Sequence, residues 1–291
     1  MLLTAVSEAQ AVLADNVTRE PNFWDGICGV FADFGESFYD NFIAENRWMY
    51  LVNGLKNTLI ITFLAIIIGI ILGFLVAIVR STHDKTGKLK PLNLLCNIYL
   101  TVIRGTPVVV QLLIIYFVIF APVNIDKIFV AVLAFGLNSG AYVAEIVRSG
   151  IMSIDNGQFE AGSSLGLSYA QTMIHIIIPQ AFKNVLPALA NEFIVLLKET
   201  SVAGYVTVRD LTMGGNIIRS VTYSPFLPLI AVALIYLVLV MFFTWLVGKL
   251  EKKLRNEGAR NVKVKTHVTV IPGAPGMTGR AQEIEEDKDN G

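Results

Sequence analysis

Residues 57–79 read NTLIITFLAIIIGIILGFLVAIV and contain no charged side chain. A helix that crosses the hydrocarbon core of a bilayer needs about 20 mostly apolar residues, so this stretch predicts a membrane-spanning helix. The rest of the chain fits that class, because 54% of its 291 residues are hydrophobic and only 16% are charged. An average soluble domain carries about 25% charged residues. The sequence therefore predicts an all-α polytopic membrane protein.

Four further stretches are apolar enough to be spans. We expect them at residues 92–122, 128–148, 179–198 and 225–248, which gives five spans within a transmembrane domain of residues 51–250. The fourth span is the least obvious, since it contains Lys183, Asn191 and Glu192. A helix with polar groups on one side must turn that side toward protein or water, because a charge that faces lipid costs several kcal/mol.

The distribution of charge predicts the orientation of the chain. Residues 80–90 contain four Lys or Arg, and residues 249–265 contain seven against two Glu. The positive-inside rule places both segments in the cytoplasm. The first 56 residues carry eight acidic side chains against three basic ones, which favours the outside. An odd number of spans joins the two sides.

Both ends of the chain lie outside the predicted transmembrane domain. Residues 1–50 are expected to form an extracytoplasmic segment without a cleavable signal peptide, since the first ten residues contain no basic side chain. Aromatic residues at near-helical spacing, followed by Trp48 and Tyr50, predict an interfacial amphipathic helix within this segment. A short helix packed on the protein is the alternative. Residues 251–291 are predicted to form a polar, disordered cytoplasmic tail.

The motifs of membrane enzymes are missing from the sequence. There is no HExxH pattern, and the three histidines are too scattered to form a two-histidine zinc site. Residues 136–140, GLNSG, have one residue more than the GxSG of intramembrane serine proteases. Without a GxxxxGK[ST] pattern, the chain is not expected to bind ATP. We predict no catalytic residue, metal or cofactor on this chain, and its zero net charge excludes a globally basic nucleic-acid-binding protein.

The segment between the third and fourth spans, residues 149–178, is long for a connection. Loops of this length inside a compact protein are usually functional. Its sequence predicts a short helix through Glu160, which Gly166 ends so that the chain can reverse toward Pro179. Two short helices with a glycine corner would form a knob on the membrane surface, where another protein can bind.

Four motifs of the chain resemble one family. The first is Glu160-Ala161-Gly162 with Gly166, followed twelve residues later by Ile178-Pro179, and it is similar to the EAA loop of ABC importer permeases. The other three resemble the permeases of polar amino-acid uptake systems, the histidine/glutamine/arginine type: Arg104-Gly105-Thr106-Pro107 with Gln111, Asn138-Ser139-Gly140-Ala141-Tyr142 with Glu145 and Arg148, and Leu196-Leu197-Lys198-Glu199-Thr200-Ser201. The resemblance covers roughly residues 51–250. Gly162 departs from the family's Ala and should loosen the helix by up to about 1 kcal/mol.

The resemblance implies a function and a set of partners. It makes the chain the permease subunit of an ATP-driven amino-acid importer, not itself an enzyme. Glu160, Ala161, Gly162, Gly166 and Pro179 would belong to the coupling loop that docks into a cleft of an ABC ATPase subunit, which would bind ATP and Mg. An extracytoplasmic binding protein would deliver a polar amino acid. A second permease subunit, identical or different, would complete the pore in the lipid bilayer.

Polar residues of the third span are candidates for the transport path. Asn138, Tyr142 and Glu145 are separated by four and three residues, which places them on one face of a helix. We expect Glu145 to bind an ammonium group and Asn138 to make amide contacts with the substrate. A polar clamp between helices is the alternative.

Two further groups have both a functional and a structural interpretation. The fourth span ends near its outer side with Lys198, Glu199, Thr200 and Ser201. These residues either form a gate, hold the charges of an amino acid, or neutralise each other as an ion pair. Pro107 removes a helical hydrogen bond and permits a kink in the second span.

Arg104 either belongs to the kink or extends to the cytoplasmic interface. Gly69 and Gly73 form a GxxxG pattern, to which we assign helix packing only. A non-transporting sensor or scaffold would need a cytoplasmic output domain, for which the 43 residues after Gly248 are too few and too polar.

Overall fold

A computed structural model describes the backbone of residues 33–123 and 125–265, with side chains as far as residue 254. Nine α-helices are labelled within these ranges: α1 (Trp48–Thr86), α2 (Lys90–Gly105), α3 (Val108–Ile114), α4 (Lys127–Met152), α5 (Asn156–Ser164), α6 (Tyr169–Thr172), α7 (Ile178–Glu199), α8 (Leu211–Thr222) and α9 (Phe226–Lys265). No β-strand occurs in this part of the chain, and the prediction of an all-α fold is confirmed. Two compact units divide the chain, Met1–Lys249 and Leu250–Gly291.

Four helical segments of the described chain are long and apolar enough to cross a membrane: Trp48–Thr86, Lys127–Met152, Tyr169–Val206 and Phe226–Leu254. The bent pair Lys90–Gly105 and Val108–Ile119 adds a fifth if it counts as one span. The predicted second span is therefore not one straight helix, because its two parts meet at 110°. The break falls at Thr106 and Pro107, both of which have extended backbones.

Several helices are longer than the apolar runs that predict them. α1 begins at Trp48, nine residues before the uncharged run, and ends where Gly87 adopts a left-handed φ of 65°. Glycine is suited to that conformation because it has no Cβ. α9 continues to Lys265, so the part of the predicted tail before residue 266 is helical. The rest of the tail and residues 1–32 lie outside the described ranges.

α1 and α4 pack closely against each other at glycine residues. A Cβ atom on Gly69 would lie 2.8 Å from the Ser139 hydroxyl, and one on Gly73 would lie 2.5 Å from a Val143 methyl group. Because neither glycine has a side chain, the two backbones can approach. The largest buried side chains nearby include Ile61 and Phe135, both fully buried. This helix pair forms the centre of the apolar core.

α8 packs on the N-terminal end of α1, where backbone meets backbone. A Cβ on Gly54 would lie 2.5 Å from the Asp210 carbonyl oxygen, and one on Gly214 would lie 2.5 Å from that of Tyr50. The Leu211 amide donates to the Thr58 hydroxyl at 3.1 Å. We call this side of the bundle the Trp48 side, and the opposite one, at the other end of α1, the Thr86 side.

Short helical turns over residues 33–46 precede α1 on the Trp48 side. The Thr222 hydroxyl donates to the Asn41 side chain at 2.8 Å, and Phe42 is buried. Phe34 and Phe38 remain exposed. The segment thus combines a packed contact with exposed aromatic rings, and its binding to a membrane interface stays a prediction.

Candidate functional site

The Gln111 side chain forms hydrogen bonds across the break between α2 and α3. Proline at position 107 has no amide hydrogen to continue the helix. The Gln111 side-chain amide donates instead to the carbonyl oxygens of Ile103, at 2.7 Å, and Thr106, at 3.0 Å. Since Gln111 is buried, these bonds satisfy carbonyl groups that would otherwise be costly to remove from water.

The predicted stripe of α4 is turned toward this break. The Asn138 side chain donates to Gln111 Oε1 at 3.2 Å. One turn along α4, the Tyr142 ring lies under the Arg104 guanidinium, 5.8 Å from Cζ to the ring centroid. Asn138 is buried and Tyr142 is exposed. Within the described ranges the Asn138 Oδ1 atom has no hydrogen-bond partner.

Glu145 lies between two arginines. Its Oε1 atom is 2.6 Å from Arg80 Nη1 and 3.6 Å from Arg104 Nη1. Together with Asn97 and Thr101, these three side chains line a polar cavity of about 420 Å³. Glu145 is therefore already paired within the chain, and the three-residue cluster has an excess positive charge. Such a cluster attracts an anion more readily than the ammonium group expected from the sequence.

Glu192 of α7 is a second buried carboxylate, which the sequence-based path did not include. The Ser139 hydroxyl donates to Glu192 Oε1 at 3.0 Å, and both residues are buried. Ionisable residues inside membrane helices are functional candidates by default. In the sequence, Glu192 is a charged residue that makes the fourth predicted span less apolar, and Arg80 is one of the basic residues that follow the first span. Neither position indicates a functional site. Their distant partners carried no sequence signal.

The residues from Lys198 to Ser201 lie where α7 ends and a 3₁₀ turn begins. Lys198 is exposed, Glu199 and Ser201 are half-buried, and Thr200 is buried with its hydroxyl donating to the Leu197 carbonyl at 2.8 Å. No ion pair within 4.0 Å joins Lys198 to Glu199 in the part of the chain with described side chains.

The loop between α4 and α7 forms a helix-turn-helix on the Thr86 side. Asp155 caps α5 by accepting from the Gly157 amide, and Ser168 caps α6 in a capping box with Gln171. Between the helices Gly166 has a φ of 77°. The Leu167 amide donates to the Gly162 carbonyl, and the Gly166 amide to that of Ser163. These two bonds form the Schellman ending that a left-handed glycine permits.

The predicted loop residues differ in their exposure. Glu160, Ala161 and Pro179 are exposed on the surface of the protein, whereas Gly162 is buried. A Cβ on Gly162 would lie 2.5 Å from the Thr172 hydroxyl oxygen. The departure from the family's Ala therefore has a local explanation, because the β-branched Thr172 occupies the space that an Ala methyl group would need.

Comparison with known proteins bears on these features. The family described as "Binding-protein-dependent transport system inner membrane component" matches residues 65–256, more than half of the chain. The chain belongs to this family. Among its members, the arginine transport system permease protein ArtQ of Bacillus subtilis is 39% identical over 209 residues, which cover 71% of this chain and 93% of ArtQ. A putative glutamine transport system permease protein, GlnP, of Rickettsia typhi is also 39% identical, over 71% of this chain and 93% of its own length.

A solved structure agrees with this assignment. A crystal structure of an amino acid ABC transporter with histidines contains a chain that is 42% identical, with a TM-score of 0.66, over 73% of this chain and 98% of that one. A structure of the MetNI methionine ABC transporter is 18% identical with a TM-score of 0.62, which shows a shared fold.

The predicted resemblance is confirmed: the chain is an inner-membrane, multi-pass permease of the amino-acid ABC transporter type. In this family the ATPase is a separate subunit, and membership implies an ATPase and a binding protein as partners.

Proposed function

We propose that this permease forms, with a second permease subunit, the path through which a polar amino acid crosses the membrane. The observation that carries the proposal is the cavity of about 420 Å³ lined by Arg80, Arg104 and Glu145. An excess of one positive charge fits a substrate carboxylate. The buried Glu192 supplies a carboxylate for an ammonium group.

The exposed polar face of α7 supports a second permease subunit. Only 28% of the most apolar stretch of Tyr169–Val206 is buried within this chain. Its exposed residues include Lys183, Asn184, Asn191 and Lys198, which lipid would not tolerate without a large cost. A facing subunit and a water-filled path between the two would cover them. The second subunit is a copy of this chain or a related permease.

The proposed orientation places the Trp48 side outside and the Thr86 side in the cytoplasm. The basic residues that follow Val79 support this direction by the positive-inside rule. Under it, the N-terminus is outside, the C-terminus is cytoplasmic, and Lys198 to Ser201 lie toward the outer face, where a binding protein would deliver its amino acid. Those four residues then act as the outer gate of the path.

The helix-turn-helix of α5 and α6 is the proposed coupling loop. Its tip exposes Leu165, with 76% of the residue accessible, next to exposed Glu160 and Ala161. An exposed apolar residue at the tip of a well-capped loop suits insertion into a cleft of an ATPase subunit. ATP and Mg would be bound by that subunit, whose closure would move the loop.

Uptake by the reconstituted complex tests the path. The chain would be co-purified with its ATPase and binding protein, placed in proteoliposomes and assayed with radiolabelled arginine, glutamine and histidine. Glu145→Gln and Arg104→Ala should each lower uptake while the complex still assembles, and Glu36→Gln, which changes an exposed acid away from the path, should not. Unchanged uptake in both path variants would contradict the assignment.

Association with the ATPase tests the loop separately. Gly166→Val should disrupt the left-handed turn, and Glu160→Lys reverses a charge on the exposed face of α5. Both should reduce co-purification of the ATPase and uptake. If both variants retain ATPase binding and uptake, the loop is not the coupling element.

A further inference from the structure

The polar stripe of α4 continues past Glu145 toward the Thr86 side. Ser149 and Ser153 follow Glu145 at intervals of four residues, so all three lie on one face of the helix. Ser149 is exposed within α4, and Ser153 is exposed at its C-terminal cap. From Glu145 to Ser153 the stripe covers about 12 Å of the helix axis, at about 1.5 Å per residue. Polar side chains on a membrane-spanning helix are stabilised by water or by other polar groups rather than by lipid.

A groove between α4 and α7 contains both serines. Its volume of about 720 Å³ falls within the range of about 300–1,000 Å³ that is usual for sites of small molecules. The polar residues that line it are Glu145, Ser149, Ser153 and Asn184. The Asn184 side-chain amide donates to the Ser153 hydroxyl at 3.1 Å, so α7 adds a hydrogen-bonding group opposite the stripe of α4.

Packing between the two helices closes the floor of the groove. Gly150 and Val185 line the groove and are buried, and a Cβ atom on Gly150 would overlap a Val185 methyl group. The glycine thus lets α4 and α7 meet behind the polar residues. A molecule in the groove would therefore move along α4 toward the Thr86 side rather than into the bundle.

Glu145 lies at the junction of this groove and the arginine cavity. It lines the groove and also the cavity of about 420 Å³ that contains Arg80 and Arg104. The cavity carries an excess of positive charge, whereas the polar groups of the groove beyond Glu145 are neutral hydroxyl and amide groups. Neutral groups form hydrogen bonds with an amino acid without pairing its charges, and a transport path needs sites that the substrate can leave. The cavity therefore suits binding and the groove suits release.

We propose that the groove is the exit through which the amino acid reaches the cytoplasm, and that Ser149, Ser153 and Asn184 contact it on the way. The inference rests on the proposed function, in which the cavity holds the substrate carboxylate and the Thr86 side faces the cytoplasm. The second permease subunit forms the facing wall without filling the groove. The amino acid leaves the arginines, passes Glu145 and follows the two serines to the end of α4.

A bulky side chain in the groove tests the passage. In proteoliposomes with the co-purified ATPase and binding protein, Ser149→Trp should lower uptake by about 10- to 100-fold, which corresponds to the usual cost of overpacking, while the complex still assembles. Ser149→Ala leaves the space open and should keep more uptake than Ser149→Trp. The matched control is Thr86→Trp, because Thr86 is exposed at the end of α1 and does not line the groove. This control should keep its uptake.

Cysteine labelling separates a passage from a covered interface. In a variant with Cys28→Ser and Cys96→Ser, Ser149→Cys should react with a membrane-impermeant thiosulfonate added from the cytoplasmic side. A bulky trimethylammonium-ethyl adduct should block uptake, whereas a methyl adduct, from methyl methanethiosulfonate, should leave more of it. Thr86→Cys should react without loss of uptake.

Two results would overturn the inference. If Ser149→Cys is unreactive in the assembled complex, the second subunit covers the groove. If Ser149→Trp transports at the wild-type rate, the amino acid leaves by another route. A wild-type complex without amino-acid uptake, or full uptake in both Glu145→Gln and Arg104→Ala, contradicts the proposed function instead.

Discussion

The two ends of α1 are joined to the rest of the bundle in different ways. On the Trp48 side, Gly54 and Gly214 bring backbone against backbone with no room for a methyl group. On the Thr86 side, the contacts are made by long side chains: Lys85, which lines a cavity, donates to Asn156, and Arg148 donates to Asp84. The glycine contact on the Trp48 side can change only if the main chain moves. The side-chain contacts on the Thr86 side can change when a side chain adopts another rotamer. One helix is thereby fixed at one end and adjustable at the other.

The largest effect should come from a methyl group at the fixed end. Gly54→Ala forces the Asp210 carbonyl or the Leu211 backbone to move and should lower the free energy of unfolding by about 3 kcal/mol, the upper part of the usual cost of overpacking. The midpoint of thermal unfolding in detergent, followed by tryptophan fluorescence, measures it. Gly248→Ala makes the same change where no atom lies within 4 Å of the new Cβ, and it should be tolerated. Equal midpoints for the two variants would remove the contrast between the ends.

A smaller effect should follow from losing the hydrogen bond that ties α8 to α1. Thr58→Val keeps the shape of a fully buried side chain but leaves the Leu211 amide without its acceptor, at a cost of about 2 kcal/mol. Thr62→Val is the matched control, because the Thr62 hydroxyl donates only to the Thr58 carbonyl of its own helix. A control as unstable as Thr58→Val would show that the tie between helices adds little.

Asp210 allows the fixed end to be tested by pH. It is fully buried and caps α8 by accepting from the Thr212 and Met213 amides. Burial raises the pKa of Asp210 from 3.8 to about 6, although its hydrogen bonds oppose the shift. The folded state therefore holds the proton of Asp210 more tightly than the unfolded state does. The contribution of this proton to the free energy of unfolding is full below about pH 4 and is lost as the pH rises through about 6.

Two variants separate the charge of Asp210 from its role as a cap. Asp210→Asn keeps an acceptor without the charge, so its stability should depend less on pH between 4 and 7 and should match or exceed wild type at pH 7. Asp210→Ala removes the cap and should cost about 1 kcal/mol. Unfolding midpoints across that pH range measure both, and an unaltered pH dependence in Asp210→Asn would contradict the assignment.

The smallest effect is expected at the adjustable end. Gly162→Ala gains helix propensity but pushes against Thr172, and the two effects should leave a net loss below about 1 kcal/mol. Gly162→Ala with Thr172→Ala removes the obstructing atoms and should be at least as stable as wild type. Amide hydrogen exchange over α5 and α6 measures this local change. Faster exchange in the double variant than in Gly162→Ala alone would rule out the Gly162–Thr172 contact as the cause.

The sequence predicted those features that depend on local pattern. Uncharged runs located the spans, and Gly166 and Pro107 stand at a turn and a break because backbone chemistry requires it. The boundaries were less accurate, since α1 and α9 continue through polar residues that no longer need apolar surroundings.

Partners distant in sequence could not be read from such patterns. Glu145 with Arg80 and Ser139 with Glu192 are 65 and 53 residues apart, so tertiary packing alone decides them. The sequence predicted that Glu145 is free to bind an ammonium group, whereas the structure shows its carboxylate paired with Arg80.

The glycine seam between α1 and α4 also has a consequence for how the protein is made. α1 is rich in apolar residues and leaves most of its strongest stretch exposed, whereas 72% of the corresponding stretch of α4 is buried and that stretch is less apolar. During synthesis α1 enters the bilayer first and persists there on its own hydrophobicity. α4, which begins at Lys127 and so 79 residues after Trp48 begins α1, gains much of its preference for the membrane interior from the groove that α1 already presents. Substitutions that fill Gly69 or Gly73 would then appear first as a defect in the insertion of α4, before any defect in transport.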